Sequence, residues 1–174
     1  MKKPTDLSTL LESKNWLRAR LEDGVDCPCC GQFAKIYKRK LNSSMARGLI
    51  VLVKLNRRDP IHIPSVFTEY RVCASNDGAL LRHWNLIEEI PGVRDDGSTR
   101  VGYYIVTDLG RKFAAGKVRV PAYAYIYNSD LLRLDDEETV DIRGALGERF
   151  HYEELMSAKI VRTWGHNELR KTAR

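Results

Sequence analysis

Apolar residues recur three and four positions apart along the first third of the chain. Phe33, Ile36, Tyr37, Leu41, Met45, Leu49, Leu52 and Val53 trace one stripe, with Lys35, Lys38, Arg39, Asn42 and Ala46 opposite. That is the period of an amphipathic helix. The spacing predicts one long helix from Gln32 to about Asn56, bent or broken near Asn42 and Ser43, which can cap a new start. An earlier stripe of Leu7, Leu10, Leu11, Leu17 and Leu21 predicts a helical arm ending at Gly24. Such an arm packs on its own domain or on a second copy, so a homodimer stays open.

Shorter patterns follow. Asn56 to Pro60 reads as a turn and Ile61-His62-Ile63 as a short strand. Pro64 suits the first turn of a helix burying Val66, Phe67 and Tyr70, because its missing amide would be unpaired there anyway. Ser75 and Asn76 can cap a helix carrying Ala79, Leu80, His83 and Trp84. Leu86 to Ile90 and Val101 to Val106 read as strands flanking a polar tip at Gly92, Asp95, Asp96, Gly97 and Ser98. Thr107 caps a further helix with Leu109, Phe113 and Ala114, stopped at Gly116. Val118 to Tyr127 is strand-like, limited by Pro121 to an edge or bend. Its Tyr123, Tyr125 and Tyr127 share a face by period two, suited to packing under a helix or, less commonly, to stacking bases. Asp141 can start a helix ending at Gly147, and Tyr152 to Trp164 a last one.

The succession Ser75 to Phe113, with H-W-N-L-I-E and then G-Y-Y-I-V-T-D-L-G, resembles the end of the third helix and the wing of the winged-helix superfamily. The resemblance implies an α+β fold: a mainly helical winged-helix core over 32–117 with a β-hairpin wing, an N-terminal helical arm and cysteine corner over 1–31, and a C-terminal strand and helix extension with an acidic segment over 118–174. Winged helices bind DNA, RNA or proteins, so it implies a binding module and no catalytic residue. For DNA, the helix from Ser75 would enter the major groove. Its outer face would present Ser75, Asn76, Gly78, Arg82 and Asn85, with Arg94 and Arg100 reaching from the wing and Lys35, Lys38 and Arg39 lying along phosphates. The alternative partner is a host protein, met through the acidic segment Asp130 to Asp141.

The Cys-Pro-x-Cys corner, F-A-K-I-Y-K-R-K-L, H-W-N-L-I-E and the late A-L-G-E-R-F-H-Y-E-E-L-M are together similar to proteins of tailed bacteriophages. That similarity implies a phage origin and action in the cytoplasm of an infected bacterium; it implies no activity.

The net charge of +6 over 174 residues fits a nucleic-acid partner. Acids gather between Asp130 and Glu154, whereas bases gather between Lys35 and Arg58 and after Lys159. The longest apolar run, Leu49 to Val53, is too short to span a bilayer, and no apolar run follows Met1-Lys2-Lys3. The expectation is an intracellular chain without a membrane partner.

Of four cysteines, Cys27, Cys29 and Cys30 crowd one corner and Cys73 stands apart. Cys27 and Cys30 have the spacing of half a zinc site, and Gly31 lets amides turn toward the sulfurs. A closed site needs four ligands, and Cys29, Cys73, His62, His83, His151 and His166 offer no second pair. The reading preferred on ligand count has no cofactor, with Cys27 and Cys30 packed as small apolar residues at the start of the long helix; zinc on these two thiols is the alternative. No Gly-rich phosphate loop, His-Glu-x-x-His or Gly-x-Ser-x-Gly occurs, so the chain is read as a non-enzyme.

Overall fold

A capping box starts the first helix: Thr9 Oγ1 accepts from the Glu12 amide (3.2 Å) and Glu12 Oε2 from the Thr9 amide (2.7 Å). The computed structural model describes residues 2–55, 59–72, 76–93, 97–98 and 101–159. In chain order the elements are α1 (Leu10–Arg18), β1 (Val25–Asp26), β2 (Phe33–Ala34), β3 (Tyr37–Lys40), α2 (Ser43–Leu55), β4 (Ile61–His62), α3 (Ile63–Glu69), a 3-10 helix (Asn76–Trp84), β5 (Ile87–Glu89), β6 (Tyr103–Val106), α4 (Asp108–Ala114), β7 (Val120–Pro121), β8 (Tyr123–Tyr127), β9 (Asp130–Leu134), β10 (Thr139–Val140), α5 (Ile142–Leu146), a 3-10 turn (Gly147–Arg149) and α6 (Tyr152–Ser157). The fold is mixed helix and strand. Two sheets have three strands, in the orders β3-β8-β9 and β4-β6-β5, and two ladders pair β1 with β2 and β7 with β10. Among the described residues no helix is long and apolar enough to cross a membrane.

The chain divides into two units. One holds the residues up to Arg39 together with Tyr123–Asp135; the other holds Lys40–Ala122 and the chain from Asp136.

The second unit is built around α2. Asn42 Oδ1 accepts from the Met45 amide (3.0 Å) and caps the helix, and every residue from Met45 to Leu52 is buried. A helix buried all round is a core element, and α2 packs against the 3-10 helix, α4 and α5. Phe67 from α3 lies against Gly48 of α2 and Gly78 of the 3-10 helix, where a Cβ at either glycine would overlap its ring. Lys54, at the end of α2, donates to the carbonyls of Leu155 (2.7 Å), Met156 (2.9 Å) and Ala158 (2.5 Å), closing the end of α6. Burial pushes the pKa of this ammonium down.

In β4-β6-β5 both neighbour pairs are antiparallel, with Ile61 opposite Tyr104 and Ile87 opposite Val106. Pro64 stands in the first turn of α3 as expected, and Asp141 caps α5 before Gly147 ends it. Thr107 Oγ1 accepts from the Gly110 amide (2.9 Å) to cap α4, while its hydroxyl donates to the Asn85 carbonyl (2.7 Å). One hydroxyl thus joins α4 to the end of the 3-10 helix. Thr107→Ala is expected to cost about 1–2 kcal/mol in denaturant unfolding, and Thr107→Ser to recover most of it.

In the first unit the long helix expected from Gln32 is not formed. Residues 33–34 and 37–40 are strands, and the helix begins only at Ser43, after the Asn42 cap. A turn at Gly31 (φ 73°) and pairing of β1 with β2 (Val25 opposite Ala34) hold residues 25–34 as a hairpin. Helix α1 is also shorter than its stripe. Leu10 and Leu11 are exposed while Ser13 and Trp16 face inward, with the Arg20 guanidinium 4.5 Å over the Trp16 ring.

The strand expected over Val118 to Tyr127 is broken before Tyr123. The acidic stretch after it supplies β9, which pairs antiparallel with β8. Tyr127 lies opposite Asp130 across Asn128 (φ 51°) and Ser129 (φ 68°), a two-residue hairpin with both central residues left-handed.

Candidate functional site

Of the residues expected on a DNA-reading surface, Ser75, Arg94 and Arg100 lie outside the described residues, as does the side chain of Asn76. Asn76 opens a 3-10 helix and not the expected α-helix. Nine residues is long for this tighter winding, whose i and i+3 side chains eclipse. Gly78, expected on the outer face, is instead buried against Phe67 and Ile63. Arg82 is half-buried and turns to Glu89 on β5 (Nε to Oε2, 3.9 Å). Both flank the Tyr104 phenol, whose pKa is raised by burial first and then by Glu89, against Arg82. Asn85 is exposed and left-handed (φ 55°), and its amide donates to the Arg82 carbonyl (2.9 Å). Its position ends the 3-10 helix, a turn that asparagine tolerates better than most residues.

Lys35, Lys38 and Arg39 belong to the other unit and lie on or beside strands. Lys38 Nζ sits 4.2 Å from the centre of the Tyr123 ring and 5.5 Å from that of Tyr125, and pairs with Asp135 at 2.9 Å. Hydrogen bonds to Asp135 and Tyr125 raise its pKa. Arg133, opposite Tyr125 in the ladder, lies 3.5 Å from the same ring. All three tyrosines are half-buried; cations lie over the rings of Tyr123 and Tyr125, while Tyr127 lines a pocket with Leu17 of α1. Arg133 and Asp135 were hidden in the acidic run; the Asn128-Ser129 turn was the local signal that could have placed them.

The cysteine corner is a hairpin turn between β1 and β2. The Cys27 amide donates to the Gln32 carbonyl (2.8 Å) and the Gly31 amide to the Cys27 carbonyl (2.8 Å). The amides of Cys29 and Cys30 and the Cys30 thiol hydrogen-bond to the Cys27 sulfur and lower its pKa. Cys27 is half-exposed and Cys30 exposed, both as free thiols, so they do not pack as small apolar residues at a helix start. Both line a pocket of about 280 Å³ with Phe33, Lys35, Tyr37 and Tyr127.

Of the other ligand candidates, Cys73 and His166 lie outside the described residues. His62 is engaged with Ser65 Oγ (2.6 Å) and tilted on the Tyr103 ring, and His83 is buried. Among the described residues no group of three His, Cys, Asp or Glu could hold a metal. Comparison with family models, with curated proteins and with solved structures finds no match to this chain.

Proposed function

We propose that the second unit is a winged-helix module and that the protein binds nucleic acid without catalysing a reaction. The observation that carries this reading is topological. Helix α2, strand β4, helix α3, a third helical segment and the β5–β6 hairpin follow one another, with the first short strand paired to the last in the order β4-β6-β5. This is the succession of a winged helix, in which the third helical segment and the hairpin present the binding surface. The net charge of +6 supports an anionic partner.

One observation favours a second reading, a protein-binding module on the same scaffold. Arg82 is the only Lys or Arg of the helix Asn76–Trp84, and it is paired with Glu89. In the nucleic-acid reading the phosphate contacts would fall instead to Arg94 and Arg100, which lie between β5 and β6 in sequence.

Mobility shift on random duplex DNA separates the readings. Retardation is expected at low salt and should fade as salt rises, because bound cations release counterions from the duplex. Replacing Arg94 and Arg100 together with alanine should weaken binding and flatten the log–log salt dependence by about one unit for each phosphate no longer neutralised. No retardation even at low salt would overturn the nucleic-acid reading and leave the protein partner.

A further inference from the structure

We propose that Cys27 and Cys30 form half of a tetrahedral zinc–thiolate site that is completed by Cys27 and Cys30 of a second copy of the chain. The half-site is formed before any metal arrives. The two thiols lie three residues apart in one hairpin turn, near enough for the Cys30 thiol to hydrogen-bond to the Cys27 sulfur. The amides of Cys29 and Cys30 point at that sulfur, and the left-handed Gly31 (φ 73°) lets the chain turn around it. Two thiolates spaced this way occupy two corners of a zinc tetrahedron, with sulfurs about 2.3 Å from the ion. Cys29 is the weaker candidate for a third ligand: its thiol makes the smallest of the hydrogen bonds to the Cys27 sulfur, and it adjoins Cys30, so both cannot readily turn to one ion.

Among the described residues no group of three His, Cys, Asp or Glu, at this corner or elsewhere, could hold a metal. A structural zinc site closes with four ligands, and an identical exposed pair on a second copy provides the missing two. A twofold axis through the ion makes the contact self-complementary, as a symmetric dimer requires.

Two features around the sulfurs favour a second chain over bare solvent. Phe33 is 59% exposed and Tyr37 46% exposed, and both line the pocket that holds Cys27 and Cys30. Large apolar side chains beside a half-built site are surface that a partner would cover. The charge also balances. Four thiols release their protons to solvent on binding, so one zinc with four thiolates carries a net charge of two minus. Lys35 lines the same pocket, and one lysine from each copy offsets it.

The test uses the full chain, stripped of metal and reduced with a phosphine that does not bind zinc. Zinc is titrated while bound metal and molecular mass are measured together. About one zinc per two chains is expected, with monomers becoming dimers only when zinc is present and separating again in chelator. Cys30→Ser should abolish both effects, and Cys29→Ser neither. Cobalt in place of zinc should give the visible absorption of a tetrahedral thiolate site in the dimer. Absence of zinc binding would overturn the proposal. So would one zinc per chain on a monomer, which would put the missing ligands within a single chain. A dimer that persists in chelator, or one that Cys29→Ser abolishes, would equally sink it.

Discussion

Gly110→Ala is expected to destabilise the second unit by at least about 2 kcal/mol, although helix propensity alone forecasts a gain of about 1 kcal/mol for that exchange. The residue sits in the first turn of α4, where alanine is intrinsically favoured. The carbonyl oxygen of Leu86, however, occupies the place its Cβ would take, with the Leu86 carbonyl carbon only 3.0 Å away. A flexible side chain could swing aside; this obstacle is main chain. The same carbonyl accepts from the Thr107 amide (3.2 Å), and Leu86 itself is fully buried at the entry to β5. Making room would break that hydrogen bond and shift β5 relative to the α4 cap. Denaturant unfolding of the variant should show a lower midpoint at unchanged slope. Gly144→Ala in α5 serves as control. There the residue itself is exposed and the nearest atoms are side-chain atoms of half-buried residues, the Val140 methyl at 3.0 Å and the Asp141 carboxylate at 3.2 Å, which can give by a few tenths of an ångström, so a change under about 1 kcal/mol is expected. A variant as stable as the original would mean that Leu86 can move freely.

The difference between what was legible in sequence and what was not follows the reach of the interactions. The second unit was largely readable because its signals are local. Pro64, Thr107, Asp141 and Gly147 mark element ends by their own backbone or hydroxyl chemistry, and the strands β4, β5 and β6 lie within the stretches whose composition suggested them. The first unit was misread because its pairing is non-local. Phe33, Ile36 and Tyr37 fit a helical stripe, but Phe33 pairs back on β1 in the cysteine hairpin and Tyr37 opens β3, which joins a sheet with β8, far along the sequence. No local pattern announces such a partner.

The candidate site divides in the same way. The spacing of Cys27 and Cys30 was visible, and so were the alternating tyrosines. That both thiols reach the surface follows from the hairpin, and that Lys38 and Arg133 share the Tyr125 ring follows from the β3-β8-β9 sheet. Gly78 read as an outer-face residue because an α-helical wheel was assumed; the 3-10 winding turns it against Phe67 instead.

Arg47→Ala is expected to be the most damaging single change considered, costing about 3–5 kcal/mol. Arg47 lies within α2 and is 1% exposed, the largest fully buried side chain in the described structure. Its Nη1 donates to the carbonyls of Arg71 (3.0 Å) and Val72 (3.1 Å), just beyond α3, and its guanidinium lies 5.3 Å from the centre of the Phe150 ring. Alanine would remove a long apolar stem, leave a cavity in the core and strand two carbonyls. Those carbonyls matter because Arg71 is left-handed (φ 46°), a conformation an ordinary residue keeps only when its surroundings hold it. Arg47→Met separates the contributions. Methionine refills much of the volume and removes a charge that is costly to bury, but it cannot donate. If the hydrogen bonds dominate, Met should still lose about 1–3 kcal/mol and increase amide exchange near Val72. If the stem dominates, Met should restore nearly all the stability that Ala loses. Lys should recover only part, since its nitrogen falls about one bond short of the position from which Nη1 reaches both carbonyls. A fully stable Arg47→Ala protein would show that α2 does not depend on this side chain to hold the end of α3.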